Sequence, residues 1–140
     1  MTETRGLLSP ETGAEAREQY DAAGPAAQTV TREIARAMEF EKAEYDDRVT
    51  SDVVETARDA LFASLLRVEL GSFEEFDAAK SEHPDADVIQ EGTEDVDRVA
   101  WHHAPAANAI VATTFQEKPD AAVATLRRIA FGRVYRDVLE

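Results

Sequence analysis

The stretch DRVAWHHAPAANAIVATTF, residues 97–115, joins two adjacent histidines, His102 and His103, to the only tryptophan, Trp101. Imidazole titrates near neutral pH and binds metals through a neutral ring nitrogen, so this is where acid–base or metal chemistry would be sought. Spacing limits that chemistry. Along an extended strand successive side chains point to opposite faces. Val99, Trp101 and His103 would share one face; Arg98, Ala100 and His102 would share the other. Two ligands for one ion need positions i and i+2 on a strand, or i and i+4 on a helix. The pair is therefore not a metal motif by itself, and no metal is assigned. One of the two could still work with His83, which has Asp85 and Asp87 close by, although no known ligand spacing supports such a site. The dull alternative is a β-hairpin, with Trp101 on the core face and His102 in the groove between sheet and solvent. That reading is preferred, and His102, His103 and His83 stand as the candidate catalytic residues.

Other enzyme signatures fail quickly. The six glycines are isolated, so no phosphate-cradling loop exists, and there is no H-E-x-x-H or G-x-S-x-G. With no cysteine, disulfides, thiol nucleophiles and thiolate metal sites are excluded. The pair Asp46-Asp47 carries little information in so acidic a chain. One local anomaly is the last predicted helix, which holds Arg127, Arg128, Arg133 and Arg136. A basic helix could grip a phosphate or an acidic partner, which makes Arg127 and Arg128, with Trp101, the candidates for binding a ligand. The preferred reading pairs these arginines with the chain's own carboxylates. No cofactor is called for.

The elements that must position these residues follow from periodicity. Residues 1–9 read as loosely ordered, and 10–140 as a single domain. A first helix runs from Pro10 to about Ala23, ended by Gly24-Pro25. A second, 26–44, carries the stripe Ala26, Val30, Ile34, Ala37, Met38 and Phe40. A third begins near Asp52, with Glu55 at capping-box spacing, and runs to about Phe62. Alternation then predicts a strand over 65–70. Ser72-Phe73-Glu74-Glu75 is a second capping box, opening a short helix to about Ser81. Strands over 86–91, 96–103 and 109–115 follow, then a long helix from Pro119 to about Leu139. Its apolar arc is wide enough to need two partners, the sheet and either the N-terminal helices or a second chain. The fold class is α+β: N-terminal helices and a small, mostly antiparallel sheet of about four strands, packed by a long C-terminal helix.

Composition bounds the rest. A chain of 140 residues with 44% hydrophobic content makes one ordinary globular core. Twenty-nine acidic residues against fifteen basic ones give a net charge of −14. The carboxylates are spread along every predicted element and interleaved with arginine, which suits molar salt, where the screening length shrinks to about 3 Å. No overall basic footprint favours nucleic acid. The start MTETRGLL lacks the features of a signal peptide, and no apolar run approaches a membrane span. The expected location is a halophilic cytoplasm, with no membrane partner.

Two long segments carry a resemblance: TVTREIARAMEFEKAEYDDRVTSDVVETARDALFASLL, and DVDRVAWHHAPAANAIVATTFQEKPDAAVATLRRIAFGRVYRDVL. Together they resemble a haloarchaeal family of proteins, a domain of unknown function, over nearly the whole chain from about Glu15. The resemblance implies no activity and no catalytic residues. The functional reading is thus a non-enzymatic, self-associating interaction or regulatory domain, a homodimer whose protein partner is not named by the sequence. The alternative is a small metal-dependent or histidine-assisted hydrolase with its site near the 97–115 hairpin.

Overall fold

The computed structural model describes residues 2–140. In chain order its elements are β1 (Glu3–Arg5), α1 (Gly13–Ala22), α2 (Gly24–Ala37), α3 (Lys42–Arg48), α4 (Ser51–Ser64), β2 (Val68–Ser72) and α5 (Phe73–Glu82). Then come β3 (Asp87–Glu91), β4 (Arg98–Ala104), β5 (Ala109–Phe115) and a C-terminal helical run. That run comprises α6 (Pro119–Ala130), a π-helical turn (Phe131–Tyr135) and α7 (Arg136–Val138). The chain falls into two compact units: Met1–Ala16 with Ala63–Glu140, and Arg17–Phe62.

The larger unit is built on a mixed five-stranded sheet of order β1-β2-β4-β5-β3. β1, β2, β4 and β5 pair antiparallel with their neighbours, whereas β3 lies parallel to β5. β2 and β3 therefore run the same way, joined by α5, with the β4–β5 hairpin inserted between them: a split β-α-β unit. The class is α+β and the sheet mostly antiparallel, as expected, with two refinements. A fifth strand, β1, forms within residues expected to be loosely ordered, and one pairing is parallel. The alternation read at 65–70 is a strand, displaced to Val68–Ser72.

Each sheet face has its own cover. Alternation puts Ala100 and His102 on one side with their cross-strand partners Thr113 and Val111. The C-terminal run lies on this side, where Arg127 Nε donates to the Leu66 carbonyl at 3.0 Å and Tyr135 meets His102. Ala122, Val123, Leu126, Ala130, Phe131, Val134 and Tyr135 are buried, while Ile129 and Val138 of the same arc are partly exposed. Each fully buried Leu or Phe side chain here stabilises by about 1.5–3 kcal/mol relative to exposure. On the other face α5 seats Phe76 against Trp101, ring centroids 5.4 Å apart, with Val99, Ile110 and Ala112 completing the cluster. Gly71 makes room for that indole: a Cβ there would lie 3.1 Å from Trp101 Cη2.

The smaller unit holds α2, α3 and most of α1 and α4. Tyr20 donates its hydroxyl proton to Asp59 Oδ1 at 2.6 Å, and its ring meets Phe62 edge-on. The helix expected over 26–44 is two helices. α2 ends in a Schellman motif: Glu39 N–H donates to the Arg36 carbonyl and Phe40 N–H to that of Ala35. Glu39 takes the left-handed position, φ 57°, that glycine usually fills. The face of α2 also differs from expectation. Gly24, Ala27, Thr31 and Ala35 are buried, while Val30, Ile34 and Met38 are 39%, 54% and 59% exposed. Small residues let a neighbouring chain segment approach closely, and here they win over the larger apolar stripe. α4 starts one residue before Asp52, and its Val53 N–H is accepted by Thr50 Oγ1, so Thr50 rather than Asp52 caps it. Among the described residues no helix is long and apolar enough to cross a membrane.

Candidate functional site

The hairpin expected at 97–115 is present. β4 and β5 pair from Arg98↔Phe115 to Ala104↔Ala109, joined by a 3₁₀ turn over Pro105–Ala107 and by Asn108 in the left-handed region. Asn tolerates that conformation better than most residues. The pleat then sends the two histidines apart, as the alternation predicts.

His102 goes into the closed face and is 1% exposed. Its Nδ1 lies 2.6 Å from the Arg67 carbonyl, and its Nε2 lies 2.6 Å from the Tyr135 hydroxyl. A carbonyl only accepts, so Nδ1 carries the hydrogen. Nε2 is then the acceptor, and Tyr135 donates to it. Burial pushes the His102 pKa down to about 4, and the nearby His103 and Arg127 push the same way. Burial raises that of Tyr135, which keeps its proton. This imidazole is neutral with both nitrogens satisfied. It is a structural polar bridge between a strand and a helix, not the groove residue expected.

His103 goes to the other face, where α5 covers only part of the sheet. Beside the end of α5 a cleft of about 610 Å³ opens, a volume within the range of small-molecule sites. β4 supplies Trp101 and His103 to it, and α5 with its C-cap supplies Glu82 and His83. The two imidazoles stack, ring centroids 3.8 Å apart and planes inclined by 20°. The capping box sets this up: Ser72 Oγ accepts from Glu75 N–H at 3.1 Å and Glu75 Oε1 from Ser72 N–H at 3.0 Å. It fixes where α5 begins, and ten residues later where His83 falls.

The remaining walls come from the N-terminal segment and β2. Ser9 donates its hydroxyl to the His103 carbonyl at 2.7 Å, Thr4 donates to Glu69 Oε2 at 2.8 Å, and Arg67 Nε donates to Glu69 Oε1 at 2.9 Å. Partial burial and the neighbouring His83 hold His103 below the ordinary histidine value. Neither ring of the stacked pair has a hydrogen bond to a described residue, and among the described residues no three metal-binding side chains gather. Lone pairs of stacked rings lie in nearly parallel planes and do not converge on one point. The arrangement offers stacking surface and open nitrogens; it lacks the carboxylate that orients a general base.

Of the sequence-derived candidates, the structure brings together His83, His103 and Trp101. His102 is on the far face. Arg127 is spent on the Leu66 carbonyl, its charge disfavoured by burial and by Arg5. Arg128 is exposed on α6, Arg133 lies 3.6 Å from Glu91, and Arg136 stacks over Phe131, so the arginines form no common site. Asp85 and Asp87 do not line the cleft. Sequence reasoning missed Thr4, Ser9, Arg67, Glu69 and Glu82. Only Glu82, next to His83 at the end of a capped helix, left a usable signal.

The geometry defines a class first: a small α+β domain whose sheet is closed on one face and open to a polar, histidine-lined cleft on the other. The family then follows from the sequence. Residues 7–136 match the model described as "Family of unknown function (DUF5809)", and the chain belongs to that family. Neither the curated proteins nor the solved structures contain a match to it.

Proposed function

We propose that this chain is a non-enzymatic binding domain that takes a small polar ligand in the cleft between α5 and the sheet. The observation that carries the reading is the stacked His83–His103 pair, which reaches the cleft from two elements and keeps its ring nitrogens open to it. A structural histidine in this fold looks different, as His102 shows. The hydrolase alternative draws on the same residues, but Ser9 spends its proton on a carbonyl and no carboxylate orients either ring. Ligand screening by thermal shift tests the proposal: stabilising compounds should lose their effect in His83→Ala and His103→Ala. Steady turnover of model esters or phosphoesters, abolished by the same two variants, would turn the reading over to the hydrolase.

Self-association is a second reading, favoured by the exposed stripe Val30, Ile34 and Met38 on α2. One flank of that stripe carries the Glu33–Arg36 ion pair, 3.2 Å apart, and an antiparallel second copy would set like flanks side by side across a twofold axis, where the pairs could exchange partners. Sedimentation in molar salt should show a dimer in the parent and a monomer in Ile34→Glu; a monomeric parent removes the reading. The setting proposed for both is a halophilic cytoplasm, supported by the net charge of −14. The screening length grows from about 3 Å in 1 M salt to about 30 Å in 0.01 M. The melting temperature should therefore fall steeply on dilution, and an unchanged value would refute salt adaptation.

A further inference from the structure

The polarity of the cleft is one-sided. Thr4 and Ser9 have each already given away their only hydroxyl proton, to Glu69 and to the His103 carbonyl. Toward a ligand both oxygens can act only as acceptors. Glu82 lines the same cleft with no hydrogen bond or ion pair to a described residue. The stacked imidazoles cannot both be cations at a 3.8 Å centroid separation without strong repulsion, so at least one keeps an acceptor nitrogen. Arg67 donates through Nε to Glu69, so those two charges offset each other, and Glu75 already accepts from the Ser72 N–H, which leaves Glu82 as the carboxylate free to meet a ligand. Trp101 and Ile110 give the floor an apolar patch. Acceptors in excess, a bare carboxylate and an apolar floor describe what would fill them.

We infer that the cleft takes a small organic cation, a primary ammonium or guanidinium group on a short apolar body. The inference rests on the reading of the cleft as a ligand site. The cationic head lies toward Glu82 and the Thr4 and Ser9 oxygens, and the body lies over Trp101 beside the imidazoles.

Calorimetric titration of the full chain in molar potassium chloride tests it, since salt suppresses general attraction to an acidic protein. The probes are phenethylamine and agmatine as cations, 2-phenylethanol as a neutral match, and 3-phenylpropionate as an anion. Phenethylamine should bind at least about tenfold more tightly than the alcohol, the scale of one charge-assisted hydrogen bond, and the carboxylate should not bind. Glu82→Gln should weaken both cations about tenfold and leave the alcohol unchanged. Asp137→Asn on α7, which alters net charge equally, should change nothing. Carboxylate binding as tight as amine binding, lost in His83→Ala, would overturn the cation while leaving the cleft as a ligand site. Amine binding indifferent to Glu82→Gln also overturns it. Saturable binding by none of the four probes overturns the cation and counts against the cleft itself.

Discussion

His102 and His103 are neighbours in the chain and opposites in the molecule. The 20-residue C-terminal run, Pro119–Val138, covers the His102 face, and there every polar atom of the imidazole has a partner. The ten-residue α5 leaves a cleft on the His103 face, and that imidazole stacks on His83 with no ring hydrogen bond to a described residue. What separates a histidine bonded through both ring nitrogens from one that lines a cleft here is the length of the helix laid over it. The residue type and its sequence neighbours are the same.

The largest test of that contrast is a pair of alanine variants. His102→Ala removes the bonds from His102 to the Tyr135 hydroxyl and the Arg67 carbonyl, opens a cavity in the closed face, and should cost about 3–5 kcal/mol. His103→Ala, on the open side, should cost less than about 1 kcal/mol. Equal losses in denaturant unfolding would erase the distinction. Acid sharpens it next. His102 has a folded pKa near 4 against 6.5 when unfolded, so between those values the unfolded chain binds the extra proton. The stability tied to this group is complete above about pH 6.5 and falls by roughly 3 kcal/mol toward pH 4. Unfolding curves of the parent and the non-titrating His102→Asn should converge over that window; parallel curves would deny the buried neutral state.

Smaller effects probe what sets the open face. Ser72→Ala removes the capping oxygen of α5 and should cost about 1 kcal/mol, with a matching loss of ligand-induced stabilisation as His83 shifts. Retained ligand response at reduced stability would show that the cap does not position the cleft. The last test lies in the smaller unit. Glu39→Gly relieves a left-handed residue at the end of α2 and should stabilise by about 1 kcal/mol. A fall in melting temperature would mean that the Glu39 side chain outweighs its backbone strain.

Much of the sheet was legible because its signals are local. β5 spans the predicted Ala109–Phe115, and the Ser72–Glu75 box is formed as the spacing implied. The sheet is mostly antiparallel as read, and its one parallel pairing, β3 with β5, arises because the β4–β5 hairpin lies between β2 and β3, which run the same way. The break at Glu39 lacked its usual glycine, so nothing in the 26–44 pattern announced it. β1 is three residues long, two of them charged, and forms because β2 offers an edge. The stripe on α2 misled because amphipathicity reports an apolar face without saying whether anything covers it. The cleft was half visible: alternation separated His103 from His102, but the meeting of His83 with His103 depends on where α5 starts and how long it runs.

One consequence of the π-helical turn at Phe131–Tyr135 concerns chain length instead of composition. A π turn accommodates one residue more than an α turn, and Gly132 within it faces open space. Deleting that single glycine would let the segment wind as ordinary α-helix and leave everything after it in register against the sheet. The Tyr135 phenol would then keep its place against His102, though the chain is one residue shorter. This end of the chain should accept many substitutions at Gly132, and its loss as well.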